Sequence, residues 1–210
     1  MKTTKIFFDC EFTGLHQKTE LISIALISEC EKTFYAEFTD FDINQIDEWL
    51  QENVIKHLKY FTIEDLKFWK LNTDIDKTKN QIANVSGRLF DPVYLPKKNV
   101  SIYGNTKGIK EQLNLWLMQF EIIEVWSDCL SYDWVLFNNI FGTAFDIPKN
   151  VYYIPFDLCT LMKIKGIDPD ISRENFIKDF ATIEGEKHNS LYDAKVIKAC
   201  YELIESESDI

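Results

Sequence analysis

Lys5-Ile6-Phe7-Phe8-Asp9-Cys10-Glu11-Phe12-Thr13-Gly14-Leu15 is an apolar run beside the N-terminus that ends in two acids two residues apart. Such a run reads as a buried strand. Successive strand side chains point to opposite faces, so Asp9 and Glu11 share one face while Cys10 and Phe12 take the other. Two carboxylates about 7 Å apart along a strand can hold divalent cations between them. Thr13-Gly14 then gives a sharp exit, since glycine adopts backbone angles that other residues resist. An edge strand with solvated acids would carry the same short pattern, so its meaning depends on the rest of the chain.

Working outward, Glu20 to Glu29 reads as a second strand, too apolar over Leu21–Ile27 to be an edge, and Thr33 to Phe38 as a third. Residues 1–39 therefore form a three-stranded meander. Ile43 to Val54 predicts one helix and Thr62 to Leu71 another, capped by Thr62 with Asp65 at the N3 position, and with Leu66 and Trp69 on one side. Between them Lys56–Phe61 mixes basic and aromatic residues, a composition that suits either base stacking or a packed, solvated turn. His57 within it has no acid partner fixed by sequence. Residues 72–104 are the least regular part, broken at Asp91-Pro92 and Leu95-Pro96. Lys97, Lys98, Lys107 and Lys110 give that region a positive bias, either a substrate path or a solvated face.

Lys107 to Phe120 has a helical stripe of Leu113, Leu117 and Phe120, and Ile122 to Trp126 follows as a strand. A short connection places Asp133 in the first turn of a helix over Ser131–Phe141. An acid near a helix start, beyond a strand's carboxyl end, occupies a natural active-site position in an α/β sheet. Asp128 competes with it on spacing alone. Val151 to Pro155 is a last strand, Asp157 caps a helix ending at Gly166, and Ser172 to Phe180 is helical. His188 follows Glu184-Gly185-Glu186, a flexible stretch. Asn189 caps a helix running to Glu205, in which Leu191, Ala194, Ile197, Tyr201 and Ile204 face the sheet and Asp193 lies in the opening turns.

Acid-x-acid at Asp9 and Glu11, a middle acid at Asp133, and His188 separated by four residues from Asp193 together resemble the DEDD superfamily of 3′-to-5′ exonucleases, in its histidine-containing branch. The resemblance covers about 185 residues in order. Tyr132-Asp133, Leu136 and Phe141-Gly142, together with Thr62–Trp69, are similar to the group containing a mycobacterial exoribonuclease and phage exonuclease A. The resemblance implies an α/β, ribonuclease H-like mixed five-stranded sheet in the order 3-2-1-4-5, flanked by helices. It implies two Mg²⁺ or Mn²⁺ ions held by Asp9, Glu11, Asp133 and Asp193, with His188 as the base. It also implies a terminal nucleotide held at Glu11, Thr13, Gly14 and Leu15, and a homodimer. The absence of thiolates from the acid set agrees with magnesium or manganese rather than zinc.

The 210 residues are 46% hydrophobic and 27% charged, with sixteen Phe and five Trp, which fits one packed domain over 1–210 and excludes a disordered chain. The net charge of −11 opposes long-range attraction to phosphate, so modest nonspecific affinity is expected and long, tight duplex binding is not. Five cysteines, at 10, 30, 129, 159 and 200, form no CxxC pattern and read as reduced core residues of a cytoplasmic protein. Neither a signal segment nor a membrane span is legible. The sequence thus predicts a metal-dependent 3′-to-5′ exoribonuclease acting on single-stranded RNA to give nucleoside 5′-monophosphates. The alternatives are an exodeoxyribonuclease, an endonuclease of the ribonuclease H type, and a catalytically silent RNA-binding protein.

Overall fold

The computed structural model describes residues 2–71 and 98–206. Its centre is β1 (Thr3–Phe12), the strand anticipated from the opening run. β2 (Leu21–Ser28) pairs antiparallel with β1, and β3 (Thr33–Phe38) antiparallel with β2, which makes the expected meander. On the other side of β1 lies β5 (Ile122–Ser127), parallel, followed by the two-residue β6 (Phe156–Asp157).

Among the described residues the sheet has six strands, counting β4 (Asn99–Gly104), in the order β4-β3-β2-β1-β5-β6, where five were expected. The extra strand, β4 (Asn99–Gly104), adds parallel to β3 at the edge and lies in a stretch read as irregular. The remaining five keep the expected 3-2-1-4-5 order. The last strand is displaced: Val151 makes only an isolated bridge to Ile123, and the ladder itself falls on Phe156–Asp157. Pro155 has no N–H to give a ladder, which explains why pairing begins after it. The breaks at Asp91-Pro92 and Leu95-Pro96, and Lys97, lie outside the described residues.

Helices cover both faces. Ile6, Phe8, Cys10, Ile24 and Leu26 pack on one side against α3 (Thr106–Leu117) and α4 (Ser131–Phe141). Phe7, Ala25, Ile27 and Tyr35 pack on the other against α5 (Leu158–Ile164), α6 (Arg173–Ile177) and α7 (Ser190–Ser206). The alternation along β1 is therefore read by two separate cores. The helix expected over 43–54 is broken into a 3-10 turn, Ile43–Gln45, and α1 (Glu48–Asn53), because Asp42 and Asp47 each cap a new start through their side chains. α2 (Ile63–Leu71) opens on the anticipated capping box: Thr62 N–H donates to Asp65 Oδ2 at 2.9 Å, and Asp65 N–H to Thr62 Oγ1 at 3.1 Å.

Glu37 of β3 is fully buried and ties the 59–61 loop to the sheet. Its carboxylate accepts from the Tyr35 hydroxyl (2.6 Å) and from the backbone N–H groups of Lys59 (2.5 Å), Tyr60 (3.0 Å) and Phe61 (2.8 Å). Lys110 donates to the Phe141 carbonyl at 2.8 Å, closing the end of α4. No helix among the described residues is long and apolar enough to cross a membrane.

Candidate active site

β1 outruns its parallel neighbour: pairing with β5 ends at Phe7 and Trp126, leaving Asp9 and Glu11 beyond the carboxyl end of β5. A register shift against β2 between Glu11 and Phe12 re-aims the strand where its acids stand. Asp133 arrives from the first turn of α4. Tyr132 stacks on Phe12 (ring centroids 5.5 Å apart) and docks that turn on the end of β1, while Ser127 Oγ donates to Asp133 Oδ2 at 3.1 Å. Asp193 arrives from α7, whose first turn is fixed to β2 by the buried Ser190–Ser23 hydroxyl contact of 3.0 Å. Asn189 caps that helix, accepting from Leu191 and Tyr192 N–H.

His188 has φ +64, and its backbone N–H donates to Asp193 Oδ2 at 2.8 Å. Glu11, His188 and Asp193 each offer a ligand atom within 4.8 Å of the others. Four separate segments thus bring all five predicted residues together. The stretch before His188, read as flexible, is exposed from Glu184 to Lys187, and within it Gly185 has φ +140 and lies against the Tyr192 side chain.

The Thr13–Leu15 exit also lies at this end of β1. Thr13 N–H donates to the Glu20 carbonyl at 3.0 Å, and its hydroxyl donates to Gln45 Oε1 at 2.6 Å. Gly14 has φ +151, and Leu15 is 78% exposed, an apolar side chain with no core to serve.

The acids raise one another's proton affinity. Burial pushes Asp9 well above the usual carboxylate range, and Asp133, Glu11, Asp193 and Asp128 push it further. Glu11 rises through burial and then through Asp193 and Asp133. Asp133 is pushed up to about 7 by burial, against the pull of the Ser127 hydrogen bond. Asp193 also reaches about 7, through burial and against the His188 N–H bond. The strongest charges acting on Asp9 are all negative. Clustered, buried oxygen ligands that repel one another are the donor set of a hard divalent cation, so the residues present fit Mg²⁺ or Mn²⁺.

Asp128, the rival acid, is employed elsewhere. Its oxygens receive Arg173 Nε at 2.6 Å and Nη2 at 2.8 Å, and Cys159 Sγ donates to it at 2.9 Å. Burial raises its proton affinity, but the Arg173 bonds outweigh that and hold it below the usual range. Cys129 approaches Cys159 to 3.9 Å beside it, and the guanidinium already supplies the positive charge there. Cys30 and Cys129 are exposed rather than core residues, and all five cysteines are free.

Comparison with solved structures aligns 96% of this chain with 82% of Pop2p from S. pombe, in its Mg²⁺- and Mn²⁺-bound form, at TM-score 0.52 and 14% identity. The fold is ribonuclease H-like. The Pan2 catalytic unit of Neurospora crassa, a protease and nuclease domain, aligns over 98% of this chain and 27% of its own, at TM-score 0.47 and 16% identity. No family model matches the chain, and no curated protein matches it. Within the ribonuclease H-like sheet, the predicted acids stand at the carboxyl end of the central strand. Sequence reasoning missed Gln45, Ser127 and Trp49, the last of which packs its ring on His188. Only its place as an exposed aromatic on a short helix signalled Trp49.

Proposed function

We propose that the chain is a divalent-metal-dependent 3′-to-5′ exoribonuclease of the histidine-containing DEDD type, acting on single-stranded RNA. One observation carries this reading: Asp9, Glu11, Asp133 and Asp193 converge from three elements, with the His188 imidazole beside Glu11 and Asp193. Mutually repelling carboxylates stabilise no fold, so their assembly points to cations and a reaction. The Mg²⁺ and Mn²⁺ of Pop2p agree with the oxygen-only donor set. Asp9, Glu11, Asp133 and Asp193 would hold two ions, which supply charge neutralisation at phosphorus and a more acidic water.

The chain's own groups do the rest. Burial, together with Lys187 and His57, holds His188 below its ordinary value, so it is neutral at pH 7 and able to take a proton from the attacking water. Glu11, with the Thr13–Gly14 backbone, orients the terminal ribose, and the exposed Leu15 packs on its base. Chains 1–210 act as single domains paired in a homodimer, as in the group the sequence resembles.

The test uses 5′-labelled single-stranded RNA, its DNA counterpart and a 3′-phosphorylated RNA, each with Mg²⁺, Mn²⁺ or chelator. RNA is expected to shorten stepwise to 5′-monophosphates, with the rate lost on chelation and cut about 100-fold or more in His188→Ala. Faster shortening of DNA moves the protein to the exodeoxyribonuclease alternative, because a pocket reading the 2′-hydroxyl discriminates against DNA. No shortening of any strand refutes the enzyme reading.

A further inference from the structure

His188 lacks the fastening that a general base normally has. Catalytic histidines are aimed by a hydrogen bond from the second ring nitrogen to a carboxylate or carbonyl, which fixes both orientation and tautomer. Among the described residues neither His188 ring nitrogen has a hydrogen-bond partner; only its backbone N–H does, to Asp193. The ring itself lies against the Trp49 indole, with centroids 5.1 Å apart and planes at 72°, an edge-to-face arrangement.

Trp49 is well placed to act as a fixed wall. It stands on α1, which is anchored by the Asp47 cap to Leu50 N–H at 2.8 Å and by the buried Leu50 side chain. Just before α1, Gln45 accepts from Thr13 beside the strand acids; just after it, the His57 carbonyl accepts from Asn189 Nδ2 at 2.8 Å, next to His188. Residues 45–57 therefore bridge the loop after Glu11 and the segment carrying the histidine. Trp49 lies between these two ties and is 53% exposed, so core packing does not account for it.

We infer that Trp49 is a positioning residue that aims the His188 imidazole at the space beside Glu11 and Asp193, in place of the hydrogen-bonded orienter. The inference rests on the nuclease reading for its consequence, and on the ring contact alone for its geometry. A shape contact fixes the plane of the imidazole and leaves the choice of protonated nitrogen open. Any flat ring at position 49 should therefore serve, and an alanine should not. A half-exposed indole could instead stack on a nucleobase, and the two roles separate in kinetics.

The experiment compares full-length wild type, W49A, W49F, H188A and W49A/H188A on 5′-labelled RNA with Mg²⁺. Expected for W49A is a fall in kcat of about tenfold to 100-fold with KM within about twofold, part of the usual general-base contribution. W49F recovers most of the loss, and W49A adds nothing in the H188A background. A raised KM with kcat intact, or the same loss with and without His188, overturns the inference and makes Trp49 a substrate contact. Unchanged kinetics also overturn it.

A second readout needs no activity. The His188 ring proton resonances, assigned by their disappearance in H188A, move in W49A as the indole ring current is lost, while His16 and the melting temperature stay put. Resonances that do not move refute the contact. A wild type inactive on every nucleic acid defeats the nuclease reading while these shifts still decide the geometry.

Discussion

Asp133→Asn should stabilise the protein in chelator and forfeit that gain when magnesium is added. Asp133 is 5% exposed, and its proton affinity rises from 3.8 to about 7 on folding. The folded state therefore binds a proton more tightly than the unfolded one, so stability is greatest at low pH and is lost as pH climbs from about 4 through 7. At 1.4 kcal/mol per tenfold, the ionised group costs the folded state about 4 kcal/mol at pH 7.5 and about 1 kcal/mol at pH 4.5. An asparagine keeps the Ser127 bond but still buries a polar amide, so about half the relief, roughly 2 kcal/mol, should be seen. For a chain of this size that is a Tm rise of about 4 to 8 °C at pH 7.5 in chelator, shrinking to about 2 °C at pH 4.5. Magnesium at a hundred times its Kd adds about 2.7 kcal/mol to the wild type and less to the variant, which reverses their order. Differential scanning fluorimetry at the two pH values, with and without magnesium, reads all of this. A lower Tm for the variant in chelator, or a gain independent of pH, refutes the picture of acids held together against their own repulsion.

Two further substitutions test how the site is supported. Arg173→Ala leaves Asp128 about four-fifths buried without its forked partner, and should cost about 3 kcal/mol, a Tm loss of roughly 6 to 12 °C; lysine should recover less than half, because the fork is lost, and a loss below about 1 °C would show that the pair is not coupled to stability. Gly185→Ala puts a Cβ 2.7 Å from Tyr192 Cδ2 at φ +140, and the strain should fall on the segment leading to His188. The expected result is a fall in kcat larger than the small Tm change predicts; equal activity would show that the segment tolerates the displacement.

The sequence was most legible where local chemistry decides structure. The β1 alternation, the Thr62–Asp65 box, the Asp157 cap and the Ser131–Phe141 helix each depend on neighbours within one or two turns, and each stands where it was expected. The break at Asp47 was written in the sequence as a second capping aspartate within a run that looked continuous. β4 was hidden because an edge strand buries little, and Asn99–Gly104 has no fully buried side chain to announce it. The choice between Asp128 and Asp133 rested on resemblance. In the structure Asp128 is paired with a guanidinium 45 residues away, a pairing that spacing does not reveal. Trp49 showed only as an exposed aromatic, since its partner His188 lies far along the chain and only the fold brings them together.

The Glu37 clamp has a consequence for how this end of the molecule breathes. Its carboxylate is buried among amide and hydroxyl donors. If the 59–61 loop swung away, it would strand a charge in the interior and three amides without an acceptor, so partial fraying is disfavoured. The amides of Lys59, Tyr60 and Phe61 should then exchange their hydrogens with solvent almost as slowly as those of β3, although they belong to a surface loop. Since the Asn189 side chain holds the His57 carbonyl just ahead of that loop, His188 is moored beside a segment that opens with the sheet or not at all.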